Sequence, residues 1–350
     1  MTKKRTLLQT ILVIAVLAIG FVSCTEEDFD RFDQDNKIGF NAMVGKSSLF
    51  KATELVATDF NQFTVYAYRT ETDITTSTVN VIETYIHNLT VSKSEGIWTY
   101  QGAFYWPGNP NDRLQFYGYA GDIVTDWILP DEESGDIENQ HPKFTYTVAA
   151  EAEDQKDLIT ARELNKQEGS TDNENAGIIH LQFKHALTQI NFSLKGQDPN
   201  LSYEVSEIKI TDAASQGTYS FNQDKFIASD DSKTTYNYNT KTIPLGQEEY
   251  LSFGHGNASI DAESVEDNQA LMLMPQAFTG SIEVTYTIKT KDGGTVAQNK
   301  EATVSFADNG TVWEAGKKIR YNLTLPIGSS KIEFNADITG WEDPETGIKL

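Results

Sequence analysis

From Ile38 to Ile338 the chain carries short runs in which apolar and polar residues alternate, while the three- and four-residue spacing of an amphipathic helix is scarce. Alternation with period two marks a half-buried strand, because successive side chains of an extended backbone point to opposite faces. The runs are rich in Val, Ile, Thr, Tyr and Phe, and clusters of Gly, Asn and Asp separate them, which is the all-β pattern. In the first half they predict strands at Ile38–Val44, Phe63–Tyr68, Trp98–Tyr105, Leu114–Ala120 and Phe144–Val148. The second half predicts Ile178–Phe183, Thr188–Leu194, Val205–Ile210, Thr218–Phe221, Ala270–Met274, Ser281–Ile288, Ala302–Phe306, Ile319–Leu325 and Ile332–Ile338. That number of short strands fits two tandem antiparallel β-sandwich domains.

The expected boundary is the polar, turn-rich stretch Gly169–Ala176, which interrupts the apolar pattern and gives 37–172 and 173–350 as the two sandwiches. Ser229–Lys241 is expected to be a long loop inside the second, since strand-like segments flank it. Asp131–His141 is expected to be a loop inside the first.

The start of the chain has another pattern. Lys3, Lys4 and Arg5 precede an apolar stretch from Ile11 to Val22, too short to span a bilayer, that ends at Ser23 and Cys24. Residues 1–23 therefore read as a signal peptide. Phe21-Val22-Ser23-Cys24 resembles a lipobox with Phe in place of the usual Leu, and Cys24 is the sole cysteine of the chain. That resemblance implies a bacterial lipoprotein held through a palmitate-bearing diacylglycerol on Cys24; the other reading is a cleaved signal with a leftover thiol. Residues 24–36 form an acidic tether, with six acids between Thr25 and Asn36. Its Thr25-Glu26-Glu27-Asp28 start resembles the signal that sends some lipoproteins to the outer leaflet of the outer membrane. It reads equally as a solvated, disordered leash.

Charge narrows the partners. Three of the 28 Lys and Arg lie in the leader, so the mature chain carries 25 against 51 Asp and Glu, formally −26. Nucleic acid is excluded as a partner class on that balance, and repulsion between like-charged copies keeps an exposed protein soluble. With one cysteine no internal disulfide forms, so packing supplies the stability.

Motifs for chemistry are sparse. His87, His141, His180, His185 and His255 are scattered, none in a zinc spacing, and His180 and His185 would face opposite sides of one strand. No metal site, cofactor or catalytic residue is expected. Gly310-Thr-Val-Trp-Glu-Ala-Gly316-Lys317 has five residues between its glycines and no Ser or Thr after the lysine, so it is not a phosphate loop. Trp98, Tyr105 and Trp106 lie in an aromatic cluster that, if exposed, would stack on a glycan; filling a sandwich core is the competing fate of such rings.

One repeat stands out. Lys37-Ile-Gly-Phe-Asn-Ala42 opens the folded region and Lys331-Ile-Glu-Phe-Asn-Ala336 nearly closes it, five of six residues matching. In the first, Ile38, Phe40, Ala42 and Val44 share a face; in the last, Ile332, Phe334, Ala336 and Ile338 do. Each set would plug the same kind of apolar groove, or each is simply a half-buried strand of a similar domain.

With these residues the chain resembles the fimbrillin-like lipoproteins, subunits and relatives of the type V pilus. The resemblance rests on the lipobox, the Ile-x-Phe-x-Ala first strand, Phe63-Thr-Val-Tyr-Ala-Tyr68, Phe104-Tyr-Trp-Pro107 and Leu114-Gln-Phe-Tyr-Gly-Tyr-Ala120. It continues through Asp157-Leu-Ile-Thr-Ala161, Leu181-Gln-Phe-Lys-His-Ala-Leu-Thr-Gln-Ile190, Leu271-Met-Leu-Met-Pro-Gln276, Trp313-Glu-Ala-Gly-Lys317 and Tyr321-Asn-Leu-Thr324. It implies two transthyretin-like sandwich domains and a structural or adhesive subunit of surface fimbriae, located at the cell outer membrane and in the fimbrium. It also implies other fimbrial subunits as partners through β-strand addition, and host or microbial surface ligands.

Polymerising members of that family are cut after an arginine that follows the first strand, and a neighbour's strand replaces the one lost. This chain departs from the pattern. Its first basic residues after Val44 are Lys46 and Lys51, and its first arginine there is Arg69, within or ending a predicted strand. Candidate processing sites are therefore Lys46, Lys51 and Arg69, the candidate replaceable strand carries Ile38, Phe40, Ala42 and Val44, and the candidate donor carries Ile332, Phe334, Ala336 and Ile338. A monomeric surface glycan-binding lipoprotein is the alternative, with Trp98, Tyr105 and Trp106 as its platform.

Overall fold

The computed structural model describes residues 36–44, 60–76, 82–131, 136–169, 177–238, 242–253, 270–308, 310–340 and 348–349. The signal stretch, Cys24, Lys46, Lys51 and His255 lie outside the described residues. Among the described residues the fold is all-β, with 3₁₀ turns at Ile137–Gln140 and Ala152–Asp154.

Seven strands form the first sheet: β1 (Gly39–Val44), β2 (Gln62–Thr70), β3 (Ile82–Ser94), β4 (Ile97–Tyr100), β5 (Arg113–Ala120), β8 (Ile159–Lys166) and β9 (Ile178–His185). Their order is β1-β9-β8-β5-β2-β3-β4. The sheet curls until its ends meet: Tyr100 on β4 donates its hydroxyl to the Ile38 carbonyl at 2.5 Å, and the Phe40 and Tyr100 rings lie 5.7 Å apart. Alternation sorts its side chains between two cores. On β2, Phe63, Val65 and Ala67 point into the curl, while Tyr66 and Tyr68 point out of it.

The outward tyrosines pack on a four-stranded sheet, ordered β13-β12-β7-β6, of β6 (Thr125–Ile128), β7 (Lys143–Thr147), β12 (Gln216–Ser220) and β13 (Lys225–Ala228). There Tyr66 stacks on Trp127 at 3.8 Å, and Tyr117 meets Phe221 edge-on at 5.1 Å. The same core runs on between two further sheets. One holds β10 (Thr188–Gly196), β16 (Leu251–Phe253), β17 (Leu271–Leu273), β22 (Lys317–Leu325), β23 (Glu333–Gly340) and β24 (Ile348–Lys349). The other holds β11 (Ser202–Ala214), β14 (Lys233–Tyr238), β15 (Thr242–Ile243), β19 (Ser281–Lys289) and β20 (Thr295–Ser305). A ribbon of β18 (Gln276–Phe278) and β21 (Thr311–Trp313) completes the described strands.

Several expectations shift. The Gly169–Ala176 stretch separates β8 from β9, yet both belong to the first sheet, so the chain changes sheets at Ala186–Leu187 instead. The β12–β13 hairpin also returns to pair with β7, which interlocks the two halves. Ser229–Lys241 contains β14 rather than only loop, its Tyr236 and Tyr238 buried on one face. Trp98–Tyr105 is not one strand: β4 ends at Tyr100, and Tyr105 only bridges Lys37.

Candidate functional site

The first strand is a plug at the seam of the curled sheet. Ile38, Phe40 and Ala42 are buried, while Val44 is partly buried against the same cluster. Asn41 and Met43 on the other face are exposed. Phe40 sits among three rings, edge-on to Phe63, Tyr100 and Phe116 at 6.1, 5.7 and 5.9 Å. Burial of the Ile and Phe side chains contributes about 1.5–3 kcal/mol each.

Both edges of this segment are engaged. On one side β1 runs parallel to β9 over six residue pairs, from Gly39 beside Ile178 to Val44 beside Phe183. On the other, Ile38 N–H donates to the Phe104 carbonyl at 2.8 Å and Trp106 N–H donates to the Asn36 carbonyl at 2.9 Å. Tyr100 clamps the Ile38 carbonyl, and burial pushes its phenol above the usual range, so it remains a proton donor there. Gly177, at φ +90°, accepts from Gly39 N–H at 2.8 Å; a Cβ on it would lie 2.9 Å from the Lys37 carbonyl oxygen. Tyr100 and Gly177 belong to the seat although no motif marked them; the signal available was an aromatic strand end and a glycine just before an apolar run.

The connectivity makes this strand separable. None of its neighbours in space adjoins it in sequence, and the strand that follows it, β2, lies four places away in the sheet. The chain between Val44 and Phe60 is thus its sole downstream covalent tie. A cut there detaches β1 without severing any of the described strands, and leaves an apolar groove along β9 lined by Phe63, Phe116 and Phe183.

Arg69 is a poor place for that cut. It stands within β2, paired through the main chain to Leu114 on one side and Glu83 on the other. Its guanidinium binds Asp112 at 2.6 Å and Glu83 at 2.7 Å. Cleavage there would split a central strand rather than free β1 alone. Lys46 and Lys51 fall between Val44 and Phe60, outside the described residues.

The matching segment at the other end is built differently. β23 pairs antiparallel with β22 across all eight of its residues. Ile332 is buried just before it, Ala336 and Ile338 are half-buried, and Phe334 is 44% exposed. On the opposite face, Asn335 and Asp337 both accept from the Asn322 side-chain amide, at 2.7 and 2.8 Å.

The aromatic platform does not assemble. Trp106 is 3% exposed and packs against Phe116, so it cannot stack on a sugar. Trp98 leans on Phe60 and Phe63 at 5.1 and 5.0 Å. Tyr105 is held in its bridge to Lys37, its carbonyl accepting from the Tyr85 hydroxyl. His180 and His185 do lie on opposite faces of β9; His180 is exposed, and His185 is buried with Nδ1 2.7 Å from Asp157.

A family model described as fimbrillin-like matches residues 51–341. Among curated proteins the chain is similar to the fimbrium subunit Fim1C of Phocaeicola vulgatus, 23% identical over 372 residues that span 95% of this chain and 96% of the relative. Among solved structures it is similar to a fimbrial protein from Bacteroides vulgatus, with a TM-score of 0.61, 17% identity, and coverage of 87% of this chain and 99% of that one.

Proposed function

The chain belongs to the fimbrillin-like family, and from that premise we propose that it is a non-enzymatic structural or adhesive subunit of cell-surface fimbriae whose first strand is a placeholder for a neighbour's strand. The carrying observation is the seat of β1: buried Ile38, Phe40 and Ala42 in a groove whose two walls come from elsewhere in the chain. In this account the precursor is a lipoprotein anchored in the outer membrane through Cys24. Proteolysis after Lys46 or Lys51 releases β1. An incoming strand with apolar residues two apart then pairs with β9 and refills the groove, main-chain hydrogen bonds holding it and side-chain spacing setting its register. Filling the groove also removes the hazard of an exposed sheet edge. In this chain, Ile332–Ile338 carries that spacing; acting as donor, it exchanges its ladder with β22 for one with the neighbour's β9.

A strand lock tests the proposal. Met43 and Gln182 are register partners on β1 and β9 and both are exposed. Adjacent strands lie about 4.8 Å apart, within the Cα separations a disulfide accepts. Fimbriae sheared from cells carrying Met43→Cys with Gln182→Cys should be absent under oxidising growth and return with reductant. Equal polymer under both conditions would mean that β1 stays in place during assembly.

A further inference from the structure

The first and last strands share more than their letters. At the head of β1, the Asn36 carbonyl accepts from Trp106 N–H at 2.9 Å, and Ile38 N–H donates to the Phe104 carbonyl at 2.8 Å. At the head of β23, the Ser330 carbonyl accepts from Thr303 N–H at 2.8 Å, and Ile332 N–H donates to the Thr303 carbonyl at 3.2 Å. With Lys37-Ile-Gly-Phe-Asn-Ala42 laid on Lys331-Ile-Glu-Phe-Asn-Ala336, Asn36 falls on Ser330 and Ile38 on Ile332. The same two main-chain groups therefore hold each segment, in the same order along the chain.

This equivalence has a direction. Entering the groove as β1 does, Ile332, Phe334, Ala336 and Ile338 take the places of Ile38, Phe40, Ala42 and Val44. Phe334 then sits among Phe63, Tyr100 and Phe116, the rings that hold Phe40. Reversed through the same four places, Ala336 falls in the Phe40 pocket and Phe334 in the buried seat of Ala42. The first leaves a cavity and the second overpacks. Sliding the reversed strand until Phe334 regains its pocket puts Ile332 in the seat of Ala42 and Ala336 in that of Ile38, so both faults persist.

The parallel fit has one tight point, where Glu333 replaces Gly39. Gly39 has no positive φ, and a Cβ there lies 3.2 Å from Ile178 Cγ1, a side-chain atom that can turn away. Exchange also buries apolar surface: Phe334 is 44% exposed on β23, whereas Phe40 in the groove is 6% exposed.

We infer, building on the strand-exchange reading above, that Ile332–Ile338 of a second copy enters parallel to β9 in the register of β1, with Asp337 beside Gln182. The chain from Leu325, the end of β22, to Lys331 spans at most about 20 Å. The neighbour's β22 thus ends close to the Trp106 end of the groove.

Cysteine pairs across the junction test the direction and register. Cys24, the sole native cysteine, precedes β1 and leaves with it. Gln182 is the register partner of Met43, whose place Asp337 takes. Fimbriae sheared from cells carrying Gln182→Cys with Asp337→Cys should give a reductant-sensitive ladder of covalent oligomers, and either single variant none. Should that pair fail to assemble, His180→Cys with Asn335→Cys decides by the same criterion, since His180 is the register partner of Asn41 and both are exposed. A ladder from Gln182→Cys with Lys331→Cys or with Glu333→Cys would mean a reversed strand and overturn the inference. Assembled fimbriae with no ladder from the deciding pair would overturn it as well, while leaving strand exchange standing. Native surface material without oligomers would overturn both.

Discussion

Replacing Phe40 by alanine probes the seat of the first strand directly. The ring is 6% exposed and meets Phe63, Tyr100 and Phe116 edge-on. Truncating a buried Phe costs about 3–5 kcal/mol when the cavity persists. Here the cavity need not persist, because β1 is joined downstream only through the segment after Val44 and can leave its groove. The loss is then capped by the free energy that seats the strand. That quantity is small: ordering each residue costs about 1–2 kcal/mol, while Ile and Phe burial returns about 1.5–3 kcal/mol apiece and each ladder hydrogen bond about 0.5–1.5 kcal/mol. Hydrogen exchange, read residue by residue, separates the two cases. Detachment predicts that amides of β1 and the facing edge of β9 lose protection together in Phe40→Ala, while those of β11 and β19 keep theirs. An unchanged pattern with a stability loss below about 1 kcal/mol in urea would refute the packing argument.

Burial, with a smaller push from Arg162, lowers the His141 pKa to about 4, and Nδ1 lies 2.9 Å from the Tyr117 hydroxyl. The folded state therefore holds a neutral imidazole, and the unfolded chain binds the extra proton below about 6.5. Stability should be full above that pH and fall by up to about 3 kcal/mol as pH drops from 6.5 to 4; thermal unfolding of His141→Phe over this window should show a weaker dependence than the parent chain. Gly280→Ala places a Cβ 2.0 Å from the Thr211 carbonyl oxygen, and a loss of about 3 kcal/mol or more is expected from denaturant titration; a change below about 1 kcal/mol would show that the backbone there yields. Residues 37–172 expressed alone should give collapsed, poorly dispersed NMR spectra, because β9 and the β12–β13 hairpin that complete their sheets come from later in the chain; a dispersed, cooperative fragment would contradict the interlock.

Strands that keep strict alternation were legible from sequence: β2, β5, β10, β19 and β22 lie where period two puts them. Strands with a break in phase were not. β3 passes through Asn88 at φ +50°, and its register against β2 shifts there, between the pairs at Val65 and Ala67. One extra residue moves every later side chain to the other face, so the alternation reads as noise. β8 carries Asn165 at φ +56° and likewise shifts register against β5. The sheet partner of β9 was hidden for another reason, since parallel pairing with β1 joins residues far apart in the chain and leaves no local mark. Trp106 misled because Trp-Pro-Gly-Asn-Pro has the composition of an exposed turn, and only the tertiary seat against Phe116 buries the indole. The two Ile-x-Phe-x-Ala segments look alike in sequence but differ in burial: β1 closes a curled sheet and is covered on its apolar face, while β23 leaves Phe334 half in solvent.

Whether β1 is surrendered on the cell surface is read directly by intact mass with N-terminal sequencing of the subunit in sheared surface material. A mature start just after Lys46 or Lys51, together with a ladder of oligomers, is the predicted result. A lipidated Cys24 start on a monomer would contradict it.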